Sequence, residues 1–423
     1  MMTDERRVEA TTRGVGLIGT GAVALVFGVL LGVPVITTIG LLLLAVVGLG
    51  FAVLTAEARA AERGGLHLIR RVIPHPVTVG QAAVVEISLA SASTWSRLDN
   101  IDISEQAARE LSGPGGLRAR VHRARGSLRL SYRIEPERRG RWVIGPLQVQ
   151  RLDAFGAARW SGPLGPPMRV AVRPKISPLA VDTRTASTDL DRAATGSRMP
   201  AADDALLRDY RMGDDLRRVH WRSSARRNEL VVRQDERSAR RPVSVVLDIP
   251  PDDAAAEWSI SVAASVAVAL VRSGHRVRLL GGDVLGSSTD HHHPDTEGIA
   301  IDALLDQTVD LSLPRTRMIR DAWLEVAIDT LSREGGGAEL VFAVVGGLDP
   351  DALAALARLG DANLGWAMVR SGQGGRSATD EETHTLEALR RAGWTVCAVH
   401  VGEPVSSCWD RLLGSDERAG SLR

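Results

Sequence analysis

Three carboxylates fall where an α/β chain keeps its ligands. Asp248 closes the apolar run Val243–Asp248 (VSVVLD), Asp252 follows in the same acidic turn, and Asp349 comes after the later apolar run Leu340–Val345. Open parallel sheets bind ligands beyond the carboxyl ends of their strands, and hard divalent cations such as Mg2+ take oxygen ligands of this kind. A metal-dependent hydrolase built on Asp248, Asp252 and Asp349 is therefore one function class the sequence raises. Three consecutive histidines, His291, His292 and His293, also offer ligands, but adjacent residues of an extended loop point apart and seldom close one coordination shell. They read as a surface loop. Gly281-Gly282-Asp283 and Gly346-Gly347 follow apolar runs without continuing into Gly-Lys-Ser/Thr or a GxGxxG spacing, so no nucleotide site is expected. Ser223 and Ser224 lie near His220, with nothing in the sequence to place an orienting carboxylate or an oxyanion hole.

The densest set of polar side chains is Arg208–Glu236, RDYRMGDDLRRVHWRSSARRNELVVRQDE. Arginines with Tyr210 and Trp221 between them are suited to stack on and clamp single-stranded nucleic acid, which makes a nucleic-acid module the second alternative. Against it, Asp209, Asp214 and Asp215 are spaced to pair with those arginines, and bidentate Arg–carboxylate contacts commonly fix irregular loops. A structural or partner-docking network is the stronger expectation. The net charge of +1 gives the chain no general attraction to polyanions, and nucleic acid is not expected as a partner. Every basic residue but Lys175 is arginine, interleaved with acids along the chain.

These side chains need elements to hold them, and the first elements are apolar. From Gly14 to Ala56 no charged residue occurs, about twice the ~20 residues that cross a bilayer as a helix. The run must fold back, and Gly32-Val33-Pro34 is where it breaks, because proline lacks an amide donor and disfavours helix before it. Two spans result, about 14–33 and 35–56, within an N-terminal segment 1–63. Arg6, Arg7 and Arg13 precede them, Arg59, Arg63, Arg70 and Arg71 follow, and the turn is uncharged. By the positive-inside rule both ends are cytosolic, giving a multi-pass protein of the cytoplasmic (inner) membrane whose soluble domains face the cytosol. Glycines of the first span, Gly14, Gly16, Gly19, Gly21, Gly28 and Gly32, suit close packing inside the hairpin. Two cysteines, Cys397 and Cys408, make no disulfide framework and read as reduced thiols.

Residues 64–178 carry short alternating runs such as Val77–Leu89, Leu128–Ile134, Trp142–Val149 and Met168–Val172, the pattern of an all-β sandwich. Asp153-Ala154-Phe155-Gly156 reads as a turn fixed by Asp153 and Gly156 with Phe155 packed beneath it. Residues 179–240 form a polar linker and the Arg-rich segment. Over 241–423 the apolar runs Val243–Asp248, Val277–Leu280, Leu340–Val345, Gly365–Val369 and Thr395–Val401 alternate with helical stretches Trp258–Arg272, Arg317–Leu331, Pro350–Leu359 and Glu381–Ala392. That alternation predicts a doubly wound α/β domain with a mainly parallel sheet.

The segment from Arg208 resembles the hallmark of the bacterial family catalogued as domain of unknown function fifty-eight: Arg208, Tyr210, Gly213, Asp214, Arg217, Trp221, Ala225 and Arg226 stand where its motif has them. Arg138–Pro146 and Asp153–Gly156 resemble its preceding β segment, with Ala154 in place of a usual proline. The loop after Val243–Asp248 is in turn similar to the metal-ion-dependent adhesion site of von Willebrand factor A domains, Asp-x-Ser-x-Ser. Asp248 matches the aspartate, while Pro250 and Asp252 replace the serines, so the site is degenerate and no cofactor is expected. Family members look like membrane-anchored proteins with a von Willebrand factor A-like domain, often encoded beside MoxR-type AAA+ ATPases and transglutaminase-like membrane proteins. The resemblance implies a non-enzymatic, membrane-anchored adaptor that works with such an ATPase in assembly or maturation of a partner complex. The eight motif residues would be its docking segment.

Overall fold

The structure is a computed structural model that describes residues 7–60, 66–91, 101–112, 119–124, 127–180, 207–209, 224, 229, 231–233, 242–285, 298–334, 339–372 and 377–420. It divides into two units, Met1–Arg173 and Pro174–Arg423.

The first unit opens with a strand, β1 (Arg7–Ala10), then α1 (Thr12–Leu30) and α2 (Pro34–Ala60). Thr11 caps α1 by accepting from the Gly14 amide at 3.0 Å, and Pro34 begins α2, where its missing amide costs nothing. Gly32, at φ 63°, turns the chain between them. Glycine lets the two helices touch backbone to backbone: a Cβ on Gly28 would lie 2.5 Å from the Thr37 amide nitrogen, and one on Gly40 2.6 Å from that of Leu25. Gly21 serves the same seam, whereas Gly16 and Gly19 face open space. Both helices are long and apolar enough to cross a membrane, with only 17% and 22% of their apolar windows buried. Helix α2 runs on to Ala60, past the apolar span expected to end near 56, because its last turns pack on the β structure. Leu54 is 1% exposed in the β core, and Glu57 pairs with Arg151 at 3.2 Å.

That β structure comprises β2 (Leu66–Ile73), β3 (Val77–Thr78), β4 (Ala83–Ser91), β5 (Ile101–Ala107), β6 (Ala119–Ala124), β7 (Ser127–Ile134), β8 (Gly140–Leu152), β9 (Ala158–Leu164) and β10 (Met168–Arg173). One sheet has the order β1-β9-β8-β10-β3 with β5 also on β8, and the other β2-β4-β7-β6. Alternate residues of both sheets enter one apolar cluster, Ile87 and Leu130 from one and Leu147 and Val170 from the other among them, as period-two strands require. Residues 7–10, in the segment that precedes the first apolar span, extend the sheet, pairing antiparallel with β9 from Arg7↔Ser161 to Ala10↔Ala158.

The second unit contains a two-stranded ladder, β11 (Leu207–Asp209) with β12 (Val231–Arg233), and a five-stranded parallel sheet. Its elements are β13 (Val243–Leu247), α3 (Asp253–Arg272), β14 (Val277–Leu280), α4 (Gly282–Leu285), α5 (Ile299–Val309), α6 (Arg317–Glu334), β15 (Leu340–Val345), α7 (Pro350–Ala362), β16 (Leu364–Arg370), α8 (Asp380–Arg391), β17 (Thr395–Val399) and α9 (Val405–Gly420). Strand order is β14-β13-β15-β16-β17. Val245, Leu247 and Phe342 pack with α3, α5 and α9 on one face; Val246, Val341 and Ala343 pack with α6, α7 and α8 on the other. Strands covered on both faces need near-continuous apolar runs; β15 has one, LVFAVV, and β13, VSVVL, departs from it only at buried Ser244, which is hydrogen-bonded to Glu339 and Arg278. Helix α3 is also apolar enough to span a membrane, but 83% of its window is buried against this sheet.

Candidate functional site

The sheet order reverses at β13, with β14 on one side and β15 on the other. In doubly wound sheets the crevice at such a reversal, beyond the carboxyl ends of the strands, is the usual ligand position. Asp248 follows β13 there, and Gly346-Gly347 follows β15, with the Asp248 amide still donating to the Val344 carbonyl at 3.0 Å.

Two arginines fill the position. Arg320, in the first turn of α6, donates from Nε to Asp248 Oδ1 at 2.6 Å and from Nη2 to Oδ2 at 2.7 Å. Arg370, the last residue of β16, donates from Nη2 to the same Oδ2 and from Nη1 to the Asp248 carbonyl at 2.7 Å. The Gly346 amide adds a fourth donor to the carboxylate at 2.9 Å. Each guanidinium is also tied elsewhere: Arg320 Nη2 to the Gly347 carbonyl at 2.9 Å, and Arg370 Nη1 to Ser259 Oγ of α3 at 2.9 Å. Asp248 is 1% exposed and both arginines are buried. The glycines make room, since a Cβ on Gly346 would meet Arg370 Nη2 at 3.0 Å and one on Gly347 would meet Glu381 at 3.0 Å. Farther out, exposed Arg317 pairs with Glu381, and Asp321 lies 3.5 Å from Arg320 Nη1.

Burial alone would raise the Asp248 carboxyl, but the Arg370 charge, the Arg320 hydrogen bond and charge, and the Gly346 amide outweigh it and hold the pKa at about 2. The same burial lowers Arg370, only partly offset by Asp248. The residue is an anionic hub for two cations from its own chain, with both oxygens committed.

The three carboxylates proposed as metal ligands therefore have separate tasks. Asp252 caps α3, accepting from the Ala255 amide at 2.8 Å, and Asp349 caps α7, accepting from Asp351 and Ala352 at 3.0 Å each. Among the described residues no group of three His, Cys, Asp or Glu comes together that would hold a metal ion. This donor set does not fit a divalent cation: its one central carboxylate is saturated by guanidinium and amide donors, and its two outer ones each cap a different helix and do not gather with it.

Other candidates are placed as follows. Arg208 is the middle residue of β11, paired with Val232. Tyr210, Gly213, Asp214, Arg217, Trp221, Ala225 and Arg226 lie outside the described residues, as do His220, Ser223 and His291–His293. Gly281, at φ 109°, is close against Leu247, where a Cβ would stand 2.1 Å from the carbonyl oxygen, so strand packing accounts for it. Cys397 and Cys408 are buried, and burial pushes both thiols up to about 12, leaving them protonated and unreactive. In the first unit the Asp153 turn forms, with its carboxylate accepting from Phe155 and Ala158 amides at 3.2 and 2.7 Å. Phe155, expected beneath it, is 53% exposed. The turn is closed by Asp153 itself and needs no apolar prop.

Sequence reasoning missed Arg320 and Arg370. A signal for the second was present: Arg370 ends the apolar strand LGWAMVR, and a charge at the end of a doubly covered strand requires a counterion.

Residues 206–363 match the family model described as protein of unknown function DUF58. The match takes in β11, the Arg-rich segment, Asp248 and Arg320. No curated protein matches the chain. Among solved structures, the PilB minor pilin from Streptococcus sanguinis aligns at 8% identity over 80% of this chain and 85% of that one, with a TM-score of 0.27, too low to define a common fold.

Proposed function

We propose that this chain, a member of the DUF58 family through residues 206–363, is a membrane-anchored adaptor with no catalytic step of its own. The observation behind this is the pairing of Asp248 with Arg320 and Arg370: the crevice where such a sheet would hold a ligand is occupied by the chain's own side chains, leaving its outer faces to bind. In this reading the first unit is a β-sandwich carried on a transmembrane hairpin and the second is a von Willebrand factor A-like domain. That domain's adhesion-type cation is replaced by two guanidinium groups, so no cofactor is needed.

The hairpin inserts in the inner membrane with both ends in the cytosol, as its flanking arginines favour. The partner is a MoxR-type AAA+ ATPase, as the family resemblance suggests, with a transglutaminase-like membrane protein as a further member of the assembly. The segment from Arg208 to Arg226 docks it, Arg217 among the contact residues. Crosslinking in native membranes followed by capture of the full-length protein tests this. The adaptor reading expects an AAA+ ATPase in the captured material and its loss with Arg217→Ala. Recovery of nucleic acid instead, or of no ATPase from the parent, would overturn it.

A further inference from the structure

The turn between β8 and β9 is built into the base of the hairpin. Because β9 pairs antiparallel with β1, from Ala10↔Ala158 to Arg7↔Ser161, it runs away from the start of α1, and the preceding turn, 153–157, lies on the helix side. The contacts agree. The Thr11 amide donates to the Ala157 carbonyl at 2.9 Å, and Thr11 Oγ1 donates to the Gly156 carbonyl at 2.5 Å. A Cβ on Gly14 would stand 1.9 Å from the Ala157 oxygen, and one on Gly50 2.6 Å from Asp153 Oδ2. The turn is thus wedged against the first turn of α1 and against α2 at Gly50, beside exposed apolar residues of both helices, Val15, Leu49 and Val53.

At that level Leu152, the last residue of β8, and Ala154 and Phe155 of the turn are exposed. Its one acid, Asp153, is buried and folded back onto the turn's own amides, so the tip is apolar. Exposed Arg13 lies beside Gly156. An apolar tip with a neighbouring arginine is the composition that settles at the headgroup–acyl boundary of a bilayer.

Placement gives the reason for such a contact: the turn sits beside the exposed apolar helix residues Val15, Leu49 and Val53, so a bilayer that covers them reaches the turn. We infer that the 152–155 turn is a second membrane contact, with Phe155 and Leu152 seated at the headgroup–acyl boundary and Arg13 on lipid phosphate, so that the β unit lies flush on the membrane. This rests on the hairpin being membrane-inserted.

The full-length protein, reconstituted in phosphatidylcholine/phosphatidylglycerol vesicles, carries an environment-sensitive fluorophore at Phe155→Cys, at Leu152→Cys or, for the mid-hairpin, at Leu42→Cys; the two native thiols are buried and give the background. Lipid nitroxides near the headgroup should diminish emission at 155 and 152 more than deep nitroxides do, with the reverse order at 42, and aqueous iodide should quench none of the three. Quenching of 155 and 152 by iodide but not by lipid nitroxides, with 42 still lipid-quenched, overturns the turn contact and leaves the anchor standing. Iodide quenching at 42 as well overturns both.

Discussion

Asp248 and Arg320 form a buried bidentate pair, 2.6 and 2.7 Å, between the end of the first strand of the parallel sheet and the first turn of α6. The attraction is strong because both groups are dry, and so is the penalty for breaking it: an arginine left without its carboxylate in such a place costs about 3–5 kcal/mol. Asp248→Asn keeps the shape and removes the charge that Arg320 and Arg370 share. It should lower the unfolding free energy of the detergent-solubilised chain, read from chemical denaturation, by an amount in that range, with a correspondingly lower midpoint. A midpoint equal to the parent's would mean that the arginines do not depend on Asp248.

The same pair sets an acid limit. The folded carboxyl sits at about 2 against an ordinary 3.8, so the unfolded state binds the proton first as pH falls. Its stabilising contribution is complete above the unfolded value and is lost as pH drops from about 4 through 2. At 1.36 kcal/mol per unit this is about 2 kcal/mol. Denaturation midpoints of the parent should decline across that window, and Asp248→Asn should lack this component of the decline.

Apolar burial and exposed charge should differ sharply in the second unit. Trp409 is fully buried, edge-on to Trp366 with centroids 6.0 Å apart, and its Nε1 donates to the Ala180 carbonyl at 2.9 Å. Trp409→Ala should cost about 3–5 kcal/mol, whereas Arg317→Ala, which removes an exposed pair with Glu381, should cost about 0–1 kcal/mol. Equal losses in denaturant unfolding would refute this ranking.

In the hairpin the contrast lies between two glycines of one helix. Gly28→Leu would drive a side chain into Thr37 backbone, while Gly16→Leu enters open space. Thermal unfolding in detergent should show a clearly lowered Tm for the first and little change for the second.

The parts of this fold legible in the sequence were those with long, uniform patterns. The uncharged run 14–56 shows as two helices, and the almost wholly apolar strands 243–247 and 340–345 show as a parallel core, because burial on both faces leaves Ser244 as their one polar position. Helix α9 was missed although Val405, Cys408, Trp409 and Leu412 recur at helical spacing on its buried face; its charged outer face dilutes the signal. Helix α5 was missed likewise. Strand β1 was not legible because Arg7–Ala10 are mostly exposed and owe their conformation to a partner strand some 150 residues away. The same holds for the site. Asp248 was found from its place at a strand end, but its partners come from α6 and β16, and no local spacing relates positions 248, 320 and 370.

An adaptor of this kind needs Asp248 to serve its own chain's arginines and not a cation, and calorimetric titration of Mg2+ or Mn2+ into the full-length protein tests that most directly. The expected result is no saturable binding, with Asp248→Ala indistinguishable from the parent in this titration. Tight, stoichiometric binding abolished by Asp248→Ala would contradict it, and would make the α/β unit a cation-gated binding face.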